Sequence, residues 1–300
     1  MRFNIVIVTF NRLQLLKECL NAAMSQTKPV NKIYVIDNCS TDGTKEYLDE
    51  QESSLLTILH SDKNLGGAWG FYQGVKLCHE HGDYDYLLLI DDDAILAPDC
   101  IEKLIEAAEL NPDFPAMSTS VFVKGKIDTG HRCNFSPRLF ARLSFVPEKE
   151  YGKGTFMCDT ATFCGLAVKK STVNEIGLPT ADFFIWFDDV EYSARINKLG
   201  KILNVCDAKI NHKTAVPFSK PQIGWKSYYG YRNILVMTKW HMNIIASSYQ
   251  IIRILYYTIK YWSNETKVSG IPAYKICLDA LTDGLKGKLG INGKYLPAKK

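Results

Sequence analysis

Three consecutive carboxylates, Asp91-Asp92-Asp93, follow the uninterrupted apolar run Tyr86-Leu87-Leu88-Leu89-Ile90. Carboxylates placed side by side at the end of a buried strand repel one another, and the arrangement persists most easily when a divalent cation neutralises it. Alternate residues of a strand share a face, so Asp91 and Asp93 can address one ion while Asp92 turns away. The bland alternative is a solvated acidic loop capping the helix after Pro98. Other residues able to do chemistry also follow apolar stretches: Thr9, Asn11 and Arg12 after the first, and Asp37 after the second. Large aromatics stand beside acids once more, in Trp186-Phe187-Asp188-Asp189-Val190-Glu191.

The elements that must position these groups alternate through the first two hundred residues. Phe3 to Phe10 reads as a buried strand, followed by a helix with Leu13, Leu16, Leu20 and Met24 on one face. Lys32 to Asp37 is a second strand, and Ser40-Thr41-Asp42-Gly43-Thr44 supplies cap-type residues for the helix after it. Ser54 to Leu59 predicts a third strand, Gly67 to His81 a helix, and Tyr86 to Ile90 a fourth strand buried on both faces. Beyond Pro98 a helix carries Ile101, Leu104, Ile105 and Ala108, and Thr160 to Val168 and Lys201 to Val205 are expected as further strands. Such alternation implies a doubly wound α/β layer with a mostly parallel sheet, whose ligand crevice lies beyond the carboxyl ends of the strands.

Composition narrows the function. At 300 residues, 46% hydrophobic and 23% charged, the chain is of ordinary globular type, and a net charge of +4 gives no reason to expect a nucleic-acid partner. Nine cysteines without a C-x-x-C pair argue against a disulfide framework and a zinc ribbon, and fit a reducing cytoplasm. The opening MRFNIVIVTFNR is too short in apolar residues for a signal segment. From about Pro221 the sequence turns to Tyr, Trp, Ile and Lys, with Ile245, Ile252, Leu255, Ile259 and Trp262 at helical spacing. Arg253 and Lys260 interrupt that run, so a membrane-spanning helix is not expected. The division expected is a catalytic domain over 1–218 and a mainly helical cap over 219–300 with membrane-surface contact. Tyr and Ile clusters usually belong to a core, which favours packing of that cap on the catalytic domain.

Four segments together resemble family 2 glycosyltransferases of the GT-A fold: VTFNR, VIDNCSTDGT, NLGGAWG and IDDDA, the last in the D-x-D position. None is specific alone, but they stand in the family's order and spacing, and the resemblance covers roughly residues 3 to 215. It implies a Rossmann-like nucleotide-sugar domain in which Thr9, Asn11 and Arg12 line the nucleotide pocket and Asp37 binds uracil or ribose. Asn64, Gly66 and Gly67 would let backbone approach the nucleotide sugar, since glycine removes the Cβ obstacle. Asp91 and Asp92 would face the donor, and Asp91, Asp93 and His212 would hold Mn²⁺ or Mg²⁺. A transferase that inverts at the anomeric carbon needs one carboxylate to take the acceptor proton, and the resemblance points to Asp189. Asp188 and Glu191 would hold acceptor hydroxyls, and Trp186 would stack on a sugar ring. The commoner role of acids at such a place is to complement a helix N-terminus.

FFIWFDDVEYSARINKLG is similar to the W-D-D-x-D/E region of bacterial galactofuranosyltransferases more than to the E-D-x-D/E-W-C region of related rhamnosyltransferases. The donor implied is UDP-galactofuranose, and the acceptor a glycan or lipid-linked glycan of the cell surface. Rhamnosyl or other hexosyl transfer is the alternative. A nucleotide-sugar-binding module without turnover is a further class, disfavoured by the intact set Asp37, Asp91, Asp93, Asp189 and His212. A sugar-phosphate nucleotidyltransferase would resemble G-x-G-x-R near its start, whereas this chain offers VTFNR.

Overall fold

A computed structural model of the chain describes residues 1–214, 223–268 and 270–296. The boundary expected between 218 and 219 lies outside the described residues. The first half runs β1 (Phe3–Thr9), α1 (Leu13–Met24), β2 (Lys32–Asp37), α2 (Thr44–Asp49), β3 (Leu56–His60), α3 (Gly66–His81), β4 (Tyr86–Asp91), β5 (Ala94–Leu96) and α4 (Cys100–Leu110). Then follow β6 (Ala116–Val123), β7 (Lys126–Ile127), β8 (Arg132–Phe135), β9 (Leu143–Phe145), β10 (Thr155–Cys158), β11 (Thr160–Ala161), β12 (Leu166–Lys169), α5 (Lys170–Ile176), α6 (Asp188–Ile196) and β13 (Ile202–His212). The C-terminal part consists of α7 (Lys226–His241), α8 (Ile244–Ser263), the short pair β14 (Lys267–Val268) and β15 (Ile271–Pro272), and α9 (Ala273–Lys286).

The main sheet has the order β10-β13-β6-β12-β4-β1-β2-β3. Its β4-β1-β2-β3 half is parallel throughout, as the apolar runs predict. All seven residues of β1 are buried, which requires helices on both faces. One of these, α3, lies flush on the sheet: a Cβ at Gly70 or Gly74 would come within 2.5 or 2.3 Å of the methyls of Val8 and Val6. The expected stretch from Thr160 to Val168 is split into β11 and β12, and β12 runs antiparallel to both β4 and β6. The last main-sheet strand is longer than expected: β13 extends to His212, pairing with β6 and β5, and so delivers that histidine next to the acidic triplet. In α1 the buried face is Leu16, Cys19, Leu20 and Ala23, so the expected stripe is rotated away from Met24.

The helical tail departs most from expectation. The periodic apolar residues of α8 point outward: Ile252, Ile259 and Trp262 are 66%, 64% and 67% exposed. The core-facing side of this helix is Ala246, Ser247, Gln250 and Ile254. Among the described residues no helix is long and apolar enough to cross a membrane. All nine cysteines are unpaired and all but Cys39 are buried. Burial pushes the thiols of those eight upward, so they act as core residues.

Candidate active site

The C-terminal ends of β1, β2 and β4 meet at one edge of the parallel half-sheet. Strand β4 ends at Asp91, and Asp92 and Asp93 form a turn before β5. Strand alternation therefore does not extend through the triplet, which corrects the expectation that Asp92 turns away. Asp92 is instead drawn inward: Thr9 Oγ1 donates to it at 2.7 Å and Arg12 Nη1 at 3.1 Å. The same Arg12 nitrogen donates to Asp93 Oδ2 at 2.7 Å, and the other oxygen of Asp93 lies 3.2 Å from His212 Nε2. Thr9 and Arg12 thus fix the acidic cluster, and Thr9, 1% exposed, spends its hydroxyl on Asp92.

Burial pushes Asp91 up to about 7, reinforced by Asp93 and Asp92 and offset by His212 and Arg12. Burial also raises Asp92, to about 6, against the pull of Arg12 and Thr9. Asp93 goes the other way: burial favours its neutral form, but His212 and Arg12 hold it below its ordinary value. Burial opposes the imidazolium of His212 as well, yet Asp93 and Asp91 outweigh it and raise that group. The cluster therefore carries more negative charge than its single arginine neutralises.

Whether these groups suit a divalent cation can be judged from their donors. Among the described residues no three His, Cys, Asp or Glu side chains form a ready cage. The buried His212 Nδ1 has no hydrogen-bond partner, Asp93 Oδ1 is in ion-pair contact with His212 Nε2, and carboxylate oxygens with one imidazole are a donor set fit for Mn²⁺ or Mg²⁺. Such an ion would compete with the proton for His212.

The second strand end is tied to the first. Asn11, at φ 53°, accepts from Thr41 N at 2.6 Å, and its own N–H donates to Ser40 at 2.9 Å. Asp37 is 1% exposed, accepts from Ser40 N at 2.9 Å and lies 2.8 Å from His60 Nδ1. Asn38, unremarked in the sequence, donates to Asn64 at 3.0 Å and accepts from Leu65 N at 2.9 Å. Asn64 in turn accepts from Gly66 N at 2.9 Å, so it closes the turn into α3.

Gly66 makes room for protein as well as opening the helix. It has φ +85°, and an added Cβ would lie 2.1 Å from the carbonyl oxygen of Phe184, whereas one on Gly67 would meet nothing within 4 Å. The close approach expected for a ligand is filled by the segment that precedes α6. Gly66→Ala is expected to cost about 1–3 kcal/mol, as a left-handed residue with a clash. Gly67→Ala is expected to be neutral or to stabilise by up to about 1 kcal/mol, since alanine favours a helix. Thermal denaturation of the two variants checks the contrast.

That segment is strained: Phe184, Trp186 and Phe187 all have positive φ, at 66°, 65° and 68°. They are followed at once by Asp188 and Asp189 in the first turn of α6. Burial drives Asp188 well above the carboxylate range, with Asp189 and Asp91 adding to the rise. Asp189 is pushed by burial to about 6, and its Oδ1 accepts from Val190 N at 2.7 Å. Burial thus raises both members of the pair, Asp188 the more strongly.

Two expected acceptor contacts stand differently. Glu191 is 1% exposed and turned inward: it receives Thr180 at 3.0 Å and Arg195 at 2.8 Å and lies 2.7 Å from His241 Nε2. It is an internal tie between α6 and α7, correcting the reading of it as a ligand for acceptor hydroxyls. Trp186 is half-buried, with one ring edge against Gly230 of α7. The ammonium of Lys226 lies 5.9 Å from its ring centroid and 5.6 Å from that of Trp225. Burial lowers Lys226, Arg12 adding to that and Asp91 opposing it. Sequence reading missed it, since nothing in WKSYY marks a lysine set against two tryptophan rings.

A parallel half-sheet with an acidic triplet at its strand end, continued by antiparallel strands and followed by helices, is a core of the GT-A type. The chain belongs to glycosyl transferase family 2, whose model matches residues 4–170. It is 27% identical over 233 residues to galactofuranosyltransferase GlfT1 of Mycolicibacterium smegmatis, covering 75% of this chain and 76% of that protein. It is 24% identical over 306 residues to the dTDP-rhamnosyl transferase RfbF of Shigella flexneri, covering 97% of each. Among solved structures, GalNAc-T7 with UDP, GalNAc and Mn²⁺ superposes with a TM-score of 0.64 at 15% identity, over 95% of this chain and 56% of that one. TarS of S. aureus in complex with UDP-GlcNAc gives 0.59 at 14% identity, over 95% and 81%.

Proposed function

We propose that this glycosyltransferase is an inverting galactofuranosyltransferase that uses UDP-galactofuranose and extends a cell-surface glycan. The observation that carries the inverting chemistry is the Asp188–Asp189 pair in the first turn of α6, of which Asp189, raised to about 6, is able to ionise below neutral pH. Asp189 accepts the proton of the acceptor hydroxyl as its oxygen bonds to the anomeric carbon, and the bond to the UDP oxygen breaks. Asp188 stands beside it in the same helical turn, and the Trp186 ring offers an apolar face for a sugar. Arg12 and Lys226 bring positive charge to the donor diphosphate. Asp91, Asp93 and His212 would hold Mn²⁺ or Mg²⁺, which when bound supplies charge neutralisation to the departing UDP.

The donor assignment is supported by the W-F-D-D-V-E segment and by similarity to GlfT1 over three quarters of both chains. A second reading, rhamnosyl transfer from dTDP-rhamnose, is favoured by similarity to RfbF along almost the whole length. The proposed setting is the cytoplasm, at the membrane surface. In a donor panel of UDP-galactofuranose, UDP-galactose, UDP-glucose and dTDP-rhamnose, UDP-galactofuranose is expected to lead by about tenfold or more in kcat/KM, as specific sugar-hydroxyl contacts allow. Exhaustive chelation is expected to stop turnover. A lead for dTDP-rhamnose would transfer the assignment to the second reading, and turnover indifferent to chelator would remove the cation.

A further inference from the structure

We infer that the cavity between residues 141–143 and α8 is a second binding site, which takes a phosphate or diphosphate group presented at a lipid surface. The inference rests on the glycosyltransferase reading for its purpose, which is to hold the acceptor. The cavity has a volume of about 320 Å³, and Arg142, Phe187, Tyr249, Gln250, Arg253 and Tyr257 are among the residues that line it.

Three features distinguish this cavity from a packing gap. Neither Arg142 nor Arg253 has a carboxylate partner among the described residues, so two guanidinium groups share one cavity without a counter-charge. Guanidinium is the side chain best matched to phosphate oxygens. Gln250 is 2% exposed, yet its Oε1 has no hydrogen-bond partner, and neither has the buried Nε of Arg253. Unmet polar groups at such depth are costly unless a ligand or water completes them. The third feature is position: Phe187 forms part of the wall and directly precedes Asp188 and Asp189. An acceptor anchored here by its phosphate would extend its sugar toward the base.

The neighbouring surface of α8 indicates where that phosphate comes from. Ile244, Ile252, Leu255, Tyr256, Ile259 and Trp262 are between 41% and 78% exposed. At 100° per residue they fall within an arc of about 120° on the helix. The 20-residue helix contains no Asp or Glu, and Arg253 and Lys260 stand along one margin of the arc. An apolar stripe with Trp and Tyr and a basic margin matches the boundary between acyl chains and anionic headgroups. Arg253 thus belongs both to the margin of the stripe and to the wall of the cavity, where a headgroup would sit.

The test uses the full chain without donor, titrated with farnesyl diphosphate, inorganic pyrophosphate and UDP by calorimetry. Farnesyl diphosphate is expected to bind at least about tenfold more tightly than pyrophosphate. The double variant Arg142→Gln with Arg253→Gln is expected to weaken farnesyl diphosphate by at least about tenfold while UDP binding is unchanged. A second variant, Ile252→Ser with Ile259→Ser, alters exposed residues and so spares the fold. It is expected to lose binding to phosphatidylglycerol vesicles. Farnesyl diphosphate displaced by UDP and insensitive to the arginine variant would put the ligand in the donor site and overturn the inference. Pyrophosphate binding as tightly as farnesyl diphosphate, or vesicle binding unaffected by the serine variant, would overturn its lipid part. Absence of UDP binding in the unaltered protein would count against the glycosyltransferase reading instead, and leaves the arginine result to be judged by itself.

Discussion

Replacing Asp189 by Asn is expected to lower turnover by about 10²- to 10⁴-fold, the usual worth of a positioned general base, while UDP still binds. The amide keeps the shape of the carboxylate and its Oδ1 can still accept from Val190 N, so the start of α6 is preserved. What is lost is the proton acceptor. The unaltered enzyme should show an acidic limb in kcat/KM near pH 6, because burial raises Asp189 to about that value and the reaction needs its ionised form. Stability should move the other way. A carboxyl whose folded value lies above its ordinary one costs nothing at pH values below both, and its full cost is present above about pH 6. Asp189→Asn is therefore expected to melt with the parent near pH 4 and above it at pH 7. A variant with unchanged turnover would remove Asp189 as the base, and one unable to bind UDP would give it a different role.

Asn233→Ala is expected to reduce kcat by about 10²-fold although Asn233 touches no reacting group, since small displacements of a catalytic carboxylate have effects of that size. Asn233 is fully buried on α7, and its Nδ2 lies 2.9, 3.1 and 2.8 Å from the carbonyl oxygens of Phe183, Ile185 and Trp186. Its two protons are shared among three acceptors, and Arg232 Nε, donating to its Oδ1 at 2.9 Å, fixes the amide orientation. These bonds clamp the segment whose positive-φ residues aim Asp188 and Asp189. Left-handed backbone at bulky residues persists only where surroundings enforce it. Alanine would leave buried carbonyls unmet, at a cost of about 1–3 kcal/mol. Steady-state assays well below the melting temperature, with donor KM determined in parallel, distinguish the outcomes. A fall in kcat with little change in donor KM fits a misplaced base, and parental kcat would show that the clamp has no catalytic consequence.

The parallel half of the fold was legible because its signals are local. FNIVIVT and YLLLI can only be strands buried on both sides, and the residues that follow them had to stand at the ligand edge. The acidic triplet and Asp37 were singled out for the same reason, whereas the Asp188–Asp189 pair, at the start of α6, was singled out by its aromatic neighbours and the family resemblance. Less legible was anything set by contacts distant in sequence. Periodicity located α8 and its apolar stripe, but period alone does not say whether a stripe faces a core or the outside. Glu191 had the composition of a ligand and is an internal tie, because its partners Thr180 and His241 lie in other elements. Asn233 and Lys226 left no mark either, since their partners are backbone carbonyls and tryptophan rings. Arg132 was overlooked too: fully buried, it donates to the carbonyl of Thr119 at 2.6 Å and to that of Cys164 at 3.1 Å, with no ion pair among the described residues to betray it.

The cysteines give the experimenter an unplanned convenience. Eight thiols are sealed in the interior and held protonated, while Cys39, half-exposed, stands in the loop that follows β2 beside Asp37 and Asn38. A maleimide fluorophore offered to the folded protein would find one address, at the lip of the proposed nucleotide pocket. Donor binding could then be followed by dye emission in real time without first engineering a cysteine-free background.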